Sequence, residues 1–287
     1  MVTETYTETY IEDRYTHQKV QLVSVTKPVI SLSASDIPME GRTTTRLTAE
    51  DLIAYCARVS NPANQHNLQS GPKLVDYLVR NNHWSPLEMV HATVEIVTTR
   101  DIARQILRHR SFSFQEFSQR YAEVVDIVDT REARLQDHQN RQSSVDMDTD
   151  SEAARWWHNA QTQIKKVTVD VYQMAIKAGI AKEVARAILP EGMTVSRLYM
   201  SGTVRSWYHY VKLRGDNGTQ REHMDIAEKV RLALMPEFPT FFSTPTLPFA
   251  ARHIRPGQED SGAFVRQHQQ QWPIQDAPPP PNSDQKS

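Results

Sequence analysis

The spacing of apolar residues changes period at Thr99, and that change limits the fold more than any other feature. Upstream, Val90, Ala92, Val94 and Ile96 alternate with His91, Thr93 and Glu95, as in a half-buried strand. Downstream, Ile102, Ile106 and Leu107 form the apolar stripe of a helix over 100–107, with Thr99 at the capping position. The strand therefore runs directly into the helix. Arg100, Arg104 and Arg108 recur at four-residue spacing, so they share one helix face.

Charge-rich helix faces are commonly just solvated. The residues that follow argue for more. Phe112, Phe114, Phe117 and Tyr121 interleave with Ser113, Glu116, Ser118 and Arg120, the pattern of a partly buried wall with polar groups aimed inward. Arginine suits a phosphate partner, because its planar fork donates two hydrogen bonds and stays charged. The net charge of the 287-residue chain is only -1, so an anion site must be local and a broad nucleic-acid surface is not expected. The single cysteine, Cys56, excludes an internal disulfide and a cysteine-rich metal site, and fits a reducing, cytoplasmic setting. The acidic, polar N-terminus resembles neither a secretory signal nor a transit peptide. No apolar run reaches the roughly 20 residues that span a bilayer.

The other elements follow from their start and stop signals. Residues 20–25 read as a strand and 31–46 as a loop. Thr48 caps a helix to about Val59, with Leu52, Ile53, Cys56 and Ala57 inward. A second helix begins near Pro72. Residues 124–128 could extend a strand, and 131–150 read as a polar surface loop. Its alternative is a lid with His138 and Arg141 as contacts. Ser151 caps a long helix over 152–177, ended by Gly179, whose stripe of Trp157, Ile164, Val167, Val171 and Met174 suits core or subunit contact. Residues 182–189 are a shorter helix, and 194–200 a strand broken at Ser201-Gly202. Helices follow over 203–214 and 222–235, the last with Ile226, Val230 and Leu234 inward. The fold class is α+β, with a mixed or antiparallel sheet flanked by helices and one long helix contributing to an oligomer interface. A flexible extension (1–18), a single domain (19–256) and a disordered, proline-rich tail (257–287) divide the chain.

The segment Arg108-His109-Arg110-x-x-Ser113-x-x-Glu116-x-Ser118-x-Arg120-Tyr121 resembles the signature of the flavin-dependent thymidylate synthases. Every fixed position is filled, while Gln115 stands where that family commonly has Asn. Further matches are Ser60 in Ala57-Arg58-Val59-Ser60, the His83-Trp84-Ser85-Pro86-Leu87-Glu88 run, Ala185-Arg186 through Leu189-Pro190, and Leu213-Arg214 with Gln220 and Glu222. Thr203 replaces the Asn of an Asn-x-Arg pair ending in Arg205, and Gly218 replaces a common His.

The resemblance implies reductive methylation of dUMP to dTMP. FAD is the implied cofactor, 5,10-methylenetetrahydrofolate the carbon donor and NADPH the reductant. It implies dUMP contacts from Gln105, Arg108, Glu116, Ser118, Arg120, Arg186 and Arg214, with Arg214 also catalytic. The implied FAD contacts are Ser60, His83, Ser85, Arg108, His109, Arg110, Glu116, Thr203, Arg205 and His209. It implies no metal, a homotetramer with sites at subunit interfaces, and no nucleic-acid or membrane partner. Without the resemblance, these residues predict a nucleotide site but not a reaction. A nucleic-acid-binding module and a colourless helical protein remain the competing readings, separated by salt-dependent nucleic-acid binding and by flavin colour.

Overall fold

The computed structural model describes residues 17–30, 47–123, 127, 130–216 and 218–243. Most of the extension expected at 1–18, the loop at 31–46, most of the strand at 124–128 and the tail lie outside them. The described residues fall into two compact units, one from within 1–128 and 190–250, the other from within 129–189.

The first unit is built on an antiparallel sheet in the order β1-β2-β6-β3. Its strands are β1 (Lys19–Val25), β2 (His91–Thr99), β3 (Ser113–Glu116) and β6 (Val195–Thr203). β2 and β6 pair over nine residues, from His91 opposite Thr203 to Thr99 opposite Val195. The alternation expected of β2 is observed, since Val90, Ala92, Val94 and Ile96 are fully buried. β1 carries a bulge between Leu22 and Ser24. Gln18 is buried rather than part of a loose extension, and hydrogen-bonds to Thr98 Oγ1 at 3.0 Å.

Helices α1 (Ala49–Ala57), α2 (Gly71–Arg80), α3 (Arg100–Ile106), α6 (Val204–Arg214), α7 (Arg221–Leu234) and α8 (Pro239–Phe242) belong to the same unit. Thr48 caps α1 as expected. Asp51 N–H donates to Thr48 Oγ1 at 3.1 Å, and Thr48 N–H donates back to Asp51 Oδ2 at 2.8 Å. Such a cap is worth about 1 kcal/mol. One core joins β2 and β6 to α1, α3, α6 and α7 through Ile53, Ile96, Ile102, Ile106, Trp207 and Ile226.

Two expectations need correction. Ser201-Gly202 is not a break, because β6 continues through both to Thr203. A glycine is needed there for space. A Cβ on Gly202 would lie 2.4 Å from the Phe112 ring. Thr99 occupies the N-cap of α3, but its hydroxyl donates to Asp101 Oδ1 at 2.5 Å and makes no cap to the backbone.

The second unit contains β4 (Arg134–Gln136), β5 (Ser144–Asp146), α4 (Glu152–Lys177) and α5 (Lys182–Ala185). The polar stretch 131–150 is not structureless, since β4 and β5 form an antiparallel hairpin. Asp137 is buried in its connection and accepts from Gln139 N–H at 2.9 Å. α4 has the expected bounds, with Ser151 Oγ accepting from Ala154 N–H and Gly179 at φ 82° beyond its end. Its apolar stripe is exposed within the chain, Val167 at 61% and Met174 at 68%. The buried side chains of α4 are Ala153, Gln161, Thr168 and Tyr172.

Candidate active site

α3 buries Ile102, Ala103 and Ile106 completely, and of the three arginines at four-residue spacing Arg104 and Arg108 are exposed while Arg100 is largely covered. Two of the three are neutralised within the chain. Arg100 pairs with Glu116 at 3.9 Å, and Arg104 pairs with Glu191. Glu116 Oε1 also accepts from Ser196 Oγ–H at 2.7 Å. The capacity for an anion therefore sits after the helix rather than along its face. Arg108 and Arg110 are exposed and have no ion-pair partner among the described residues.

The turn that carries them is held by aromatic packing. Phe112 lies on Gly202, with its ring 4.7 Å from that of Trp207 and 6.0 Å from that of Tyr210. Trp207 is anchored in turn, its Nε1–H donating to Ala92 O at 3.1 Å. Farther along, Phe117 and Tyr121 are exposed, so the expected aromatic wall is limited to Phe112 and Phe114. Ser118 Oγ accepts from Arg120 N–H at 3.4 Å, and the Arg120 guanidinium lies over the Tyr121 ring.

Behind this turn, His109 meets the end of α6. Arg214 Nε–H donates to His109 Nε2 at 2.9 Å. An arginine can only donate, so His109 Nε2 carries no proton. Burial and then the Arg214 charge lower the His109 pKa to about 4. The His109 ring packs edge-on against Tyr210, with centroids 5.0 Å apart. Gln105, on α3, donates from Nε2 to Gln220 Oε1 at 2.7 Å and faces His223 through Oε1 at 3.3 Å. The structure thus brings Gln105, His109 and Arg214 into one polar cluster.

A second cluster forms where α6 meets the short 3-10 helix Ser85–Met89. Arg205 pairs with Glu88, and His209 packs on Trp84 with centroids 4.5 Å apart. Burial, then Arg205, then Lys212 lower the His209 pKa. His83 packs edge-on to Tyr77, and His83 and Ser85 are exposed. Thr203 is engaged as the N-cap of α6, its Oγ1 accepting from Ser206 N–H at 3.1 Å. Ser60 is exposed just beyond α1. Arg186 belongs to the second unit, where its Nε–H donates to Glu183 O at 3.3 Å.

Sequence reasoning missed Gly202, Tyr210, His223 and the role of Gln220. Among these only the glycine and Gln220 gave a signal, and the glycine was taken for a strand break.

The donor set fits a phosphate-bearing flavin. Two exposed guanidiniums, Arg108 and Arg110, suit a pyrophosphate. Buried Gln119 has an Nε2 with no hydrogen-bond partner among the described residues, an unused donor within the same stretch.

Residues 43–240 match the sequence model of the family described as thymidylate synthase complementing protein. The chain belongs to this family. Among its relatives is the probable flavin-dependent thymidylate synthase of Paramecium bursaria Chlorella virus 1, 47% identical over 77% of this chain and 95% of the relative. The flavin-dependent thymidylate synthase of Synechocystis sp. is 48% identical over 77% of this chain and 96% of the relative. Among solved structures, a UMP/dUMP methylase, PolB, from Streptomyces cacaoi bound with 5-Br dUMP matches with a TM-score of 0.63 and 26% identity. That match covers 79% of this chain and 93% of the methylase. The antiparallel-sheet α+β fold described above is thus similar to that of the methylase.

Proposed function

We propose that this chain is a flavin-dependent thymidylate synthase that methylates dUMP to dTMP, with 5,10-methylenetetrahydrofolate as carbon donor and NADPH as reductant. The observation that carries the site reading is the Arg214–His109 pair. Uracil C5 is a weak nucleophile, and electron density on the ring rises as the N3–H bond weakens, a change that a nearby positive charge favours. Arg214 holds a fixed positive charge for that purpose, while His109 beside it is kept neutral by burial. The cluster's charge is thereby placed on the guanidinium. The alternative, a cysteine thiolate added to C6, lacks support. Cys56 is half-buried on α1, and burial raises its pKa.

The other proposed roles are contacts to dUMP and to FAD. Gln105, Arg108, Glu116, Ser118, Arg120, Arg186 and Arg214 contact dUMP. The FAD contacts are Ser60, His83, Ser85, Arg108, His109, Arg110, Glu116, Thr203, Arg205 and His209. Arg108 and Arg110 offer unneutralised charge for phosphate. Glu116 is already bonded to Ser196 and must share its carboxylate. FAD, when bound, supplies the redox chemistry and carries the hydride.

The chain is proposed to act as a homotetramer with sites at subunit interfaces. The exposed stripe on α4 supports subunit contact through that helix. Residues 19–256 would act as one catalytic domain between an N-terminal extension and a C-terminal tail. A near-neutral net charge favours a small nucleotide over nucleic acid, and no described helix is long and apolar enough to cross a membrane. The proposed compartment is the cytoplasm.

The test is the visible spectrum of the purified protein supplied with FAD. Retained flavin bands, faster bleaching by NADPH when dUMP is present, and dTMP formed on adding methylenetetrahydrofolate are expected. A protein that never retains FAD would sink the proposal.

A further inference from the structure

α3, α6 and the start of α7 enclose a run of polar side chains deeper than the Arg214–His109 pair. Tyr210, Glu222 and His223 are almost fully buried. Tyr210 Oη lies 3.1 Å from His223 Nε2, and His223 Nδ1 lies 3.3 Å from Gln105 Oε1. Gln105 Nε2 then reaches Gln220 Oε1 at 2.7 Å, and Gln220 Nε2 reaches Glu222 Oε2 at 2.9 Å.

The carboxylate at one end dictates the direction of the whole chain. Glu222 accepts, so Gln220 must turn its amino group toward it and its oxygen toward Gln105. Gln105 must then give its amino group to Gln220 and its oxygen to His223. That oxygen requires a proton on His223 Nδ1. The neutral ring so defined has its lone pair on Nε2, where the Tyr210 hydroxyl donates. Burial, together with Arg214 and His109, favours the neutral ring and lowers the His223 pKa to about 3. Burial also raises the Tyr210 pKa and keeps its hydroxyl a donor. Four successive hydrogen bonds therefore have one consistent direction.

Gln105 sits in the middle of this chain and spends only part of its bonding capacity there. One amide hydrogen and one oxygen lone pair remain for a ligand. We infer that His223, backed by Tyr210, is a positioning residue that, together with Gln220 and Glu222 on the other side, holds the Gln105 amide in one orientation and makes it favour uracil over cytosine, a role that rests on Gln105 being a dUMP contact. Uracil presents an N3–H donor beside an O4 acceptor. Cytosine presents an N3 acceptor beside an amino donor. An amide free to flip satisfies either ring, whereas a fixed amide satisfies one.

The test is calorimetric titration of the full-length, FAD-loaded protein with dUMP and with dCMP. His223→Asn keeps an N–H near the position of Nδ1–H. It should bind dUMP within about threefold of the parent and keep the preference over dCMP. His223→Leu removes the donor. It should lose about tenfold in dUMP affinity and narrow the dUMP-to-dCMP ratio by a similar factor. A purely structural role would lower the stability of both variants and leave the ratio unchanged, and an unchanged ratio in folded His223→Leu overturns the inference. Should that variant fail to fold, Tyr210→Phe decides, since it deletes one hydroxyl and loosens one end of the chain. A ratio narrowed by about threefold is expected, and an unchanged ratio overturns the inference. Parent protein that binds FAD and dUMP while the variants match it overturns this inference alone. Parent protein that binds neither nucleotide overturns the proposed function as well.

Discussion

Arg214 Nε and His109 Nε2 are joined by a 2.9 Å hydrogen bond that links the last turn of α6 to the turn after α3. The bond orients a guanidinium through its Nε, and lysine has no equivalent atom. Arg214→Lys should therefore keep the charge and lose the orientation. Turnover of dUMP should fall about 100-fold or more while the flavin spectrum is retained. Chromatographic assay of dTMP checks this, and near-normal turnover would remove Arg214 from its proposed role.

Acid should destabilise the protein through half-buried His109 and buried His223. Both have folded-state pKa values below the ordinary 6.5, about 4 for His109 and about 3 for His223. The unfolded chain thus binds more protons in the window between those values and 6.5. The stabilisation is fully present above pH 6.5 and is lost as pH falls toward 4 and then 3. Melting temperatures measured from pH 7 down to pH 4 should decline, and His223→Leu should flatten the decline. An identical slope in that variant would place the acid sensitivity elsewhere.

Cys56→Ala should leave dTMP formation within about twofold of the parent. The thiol is half-buried and its pKa is raised by burial, so it is poorly suited to act as a thiolate. Complete loss of activity in a folded, flavin-bound variant would reopen the thiolate route.

Gly202→Ala should destabilise the protein by about 1–3 kcal/mol, because the added methyl group meets the Phe112 ring. Phe112→Leu in the same chain should recover part of that loss. Denaturant melts of the two single variants and the double variant measure the coupling, and additive losses would mean that the two positions do not press on each other.

Val167→Glu should have little effect on folding, since the site is exposed within the chain. It should reduce the assembly state, because a charge would be buried where a subunit contact is proposed. Light scattering after size exclusion reads the outcome, and an unchanged mass would exclude that face from the interface.

Much of this was legible because long periodic segments identify themselves. β2, α4 and α7 were placed from apolar spacing and caps alone, and α4 to its end residues. Shorter elements escaped. β4 and β5 have three residues each, with only Leu135 and Val145 to signal a strand, so no period could show. Gly202 was misread because turn chemistry and close ring packing call for the same residue. His223 and the role of Gln220 were missed for another reason. Polar residues near the start of an amphipathic helix ordinarily face water, and here tertiary packing buries His223 against α6. The apolar stripe of α4 was found, but spacing cannot tell whether the same chain or another covers it.

The burial of α7 has a consequence in time as well as in space. Nine of its side chains are buried, charged and apolar alike, and the helix packs on β1, α3 and α6. Its amides can then exchange with solvent only when much of the first unit opens. Deuterium should enter residues 224–234 last and the short strands β4 and β5 early. The floor beneath Gln105 and Arg214 would thus outlast most native-state openings of the surrounding surface.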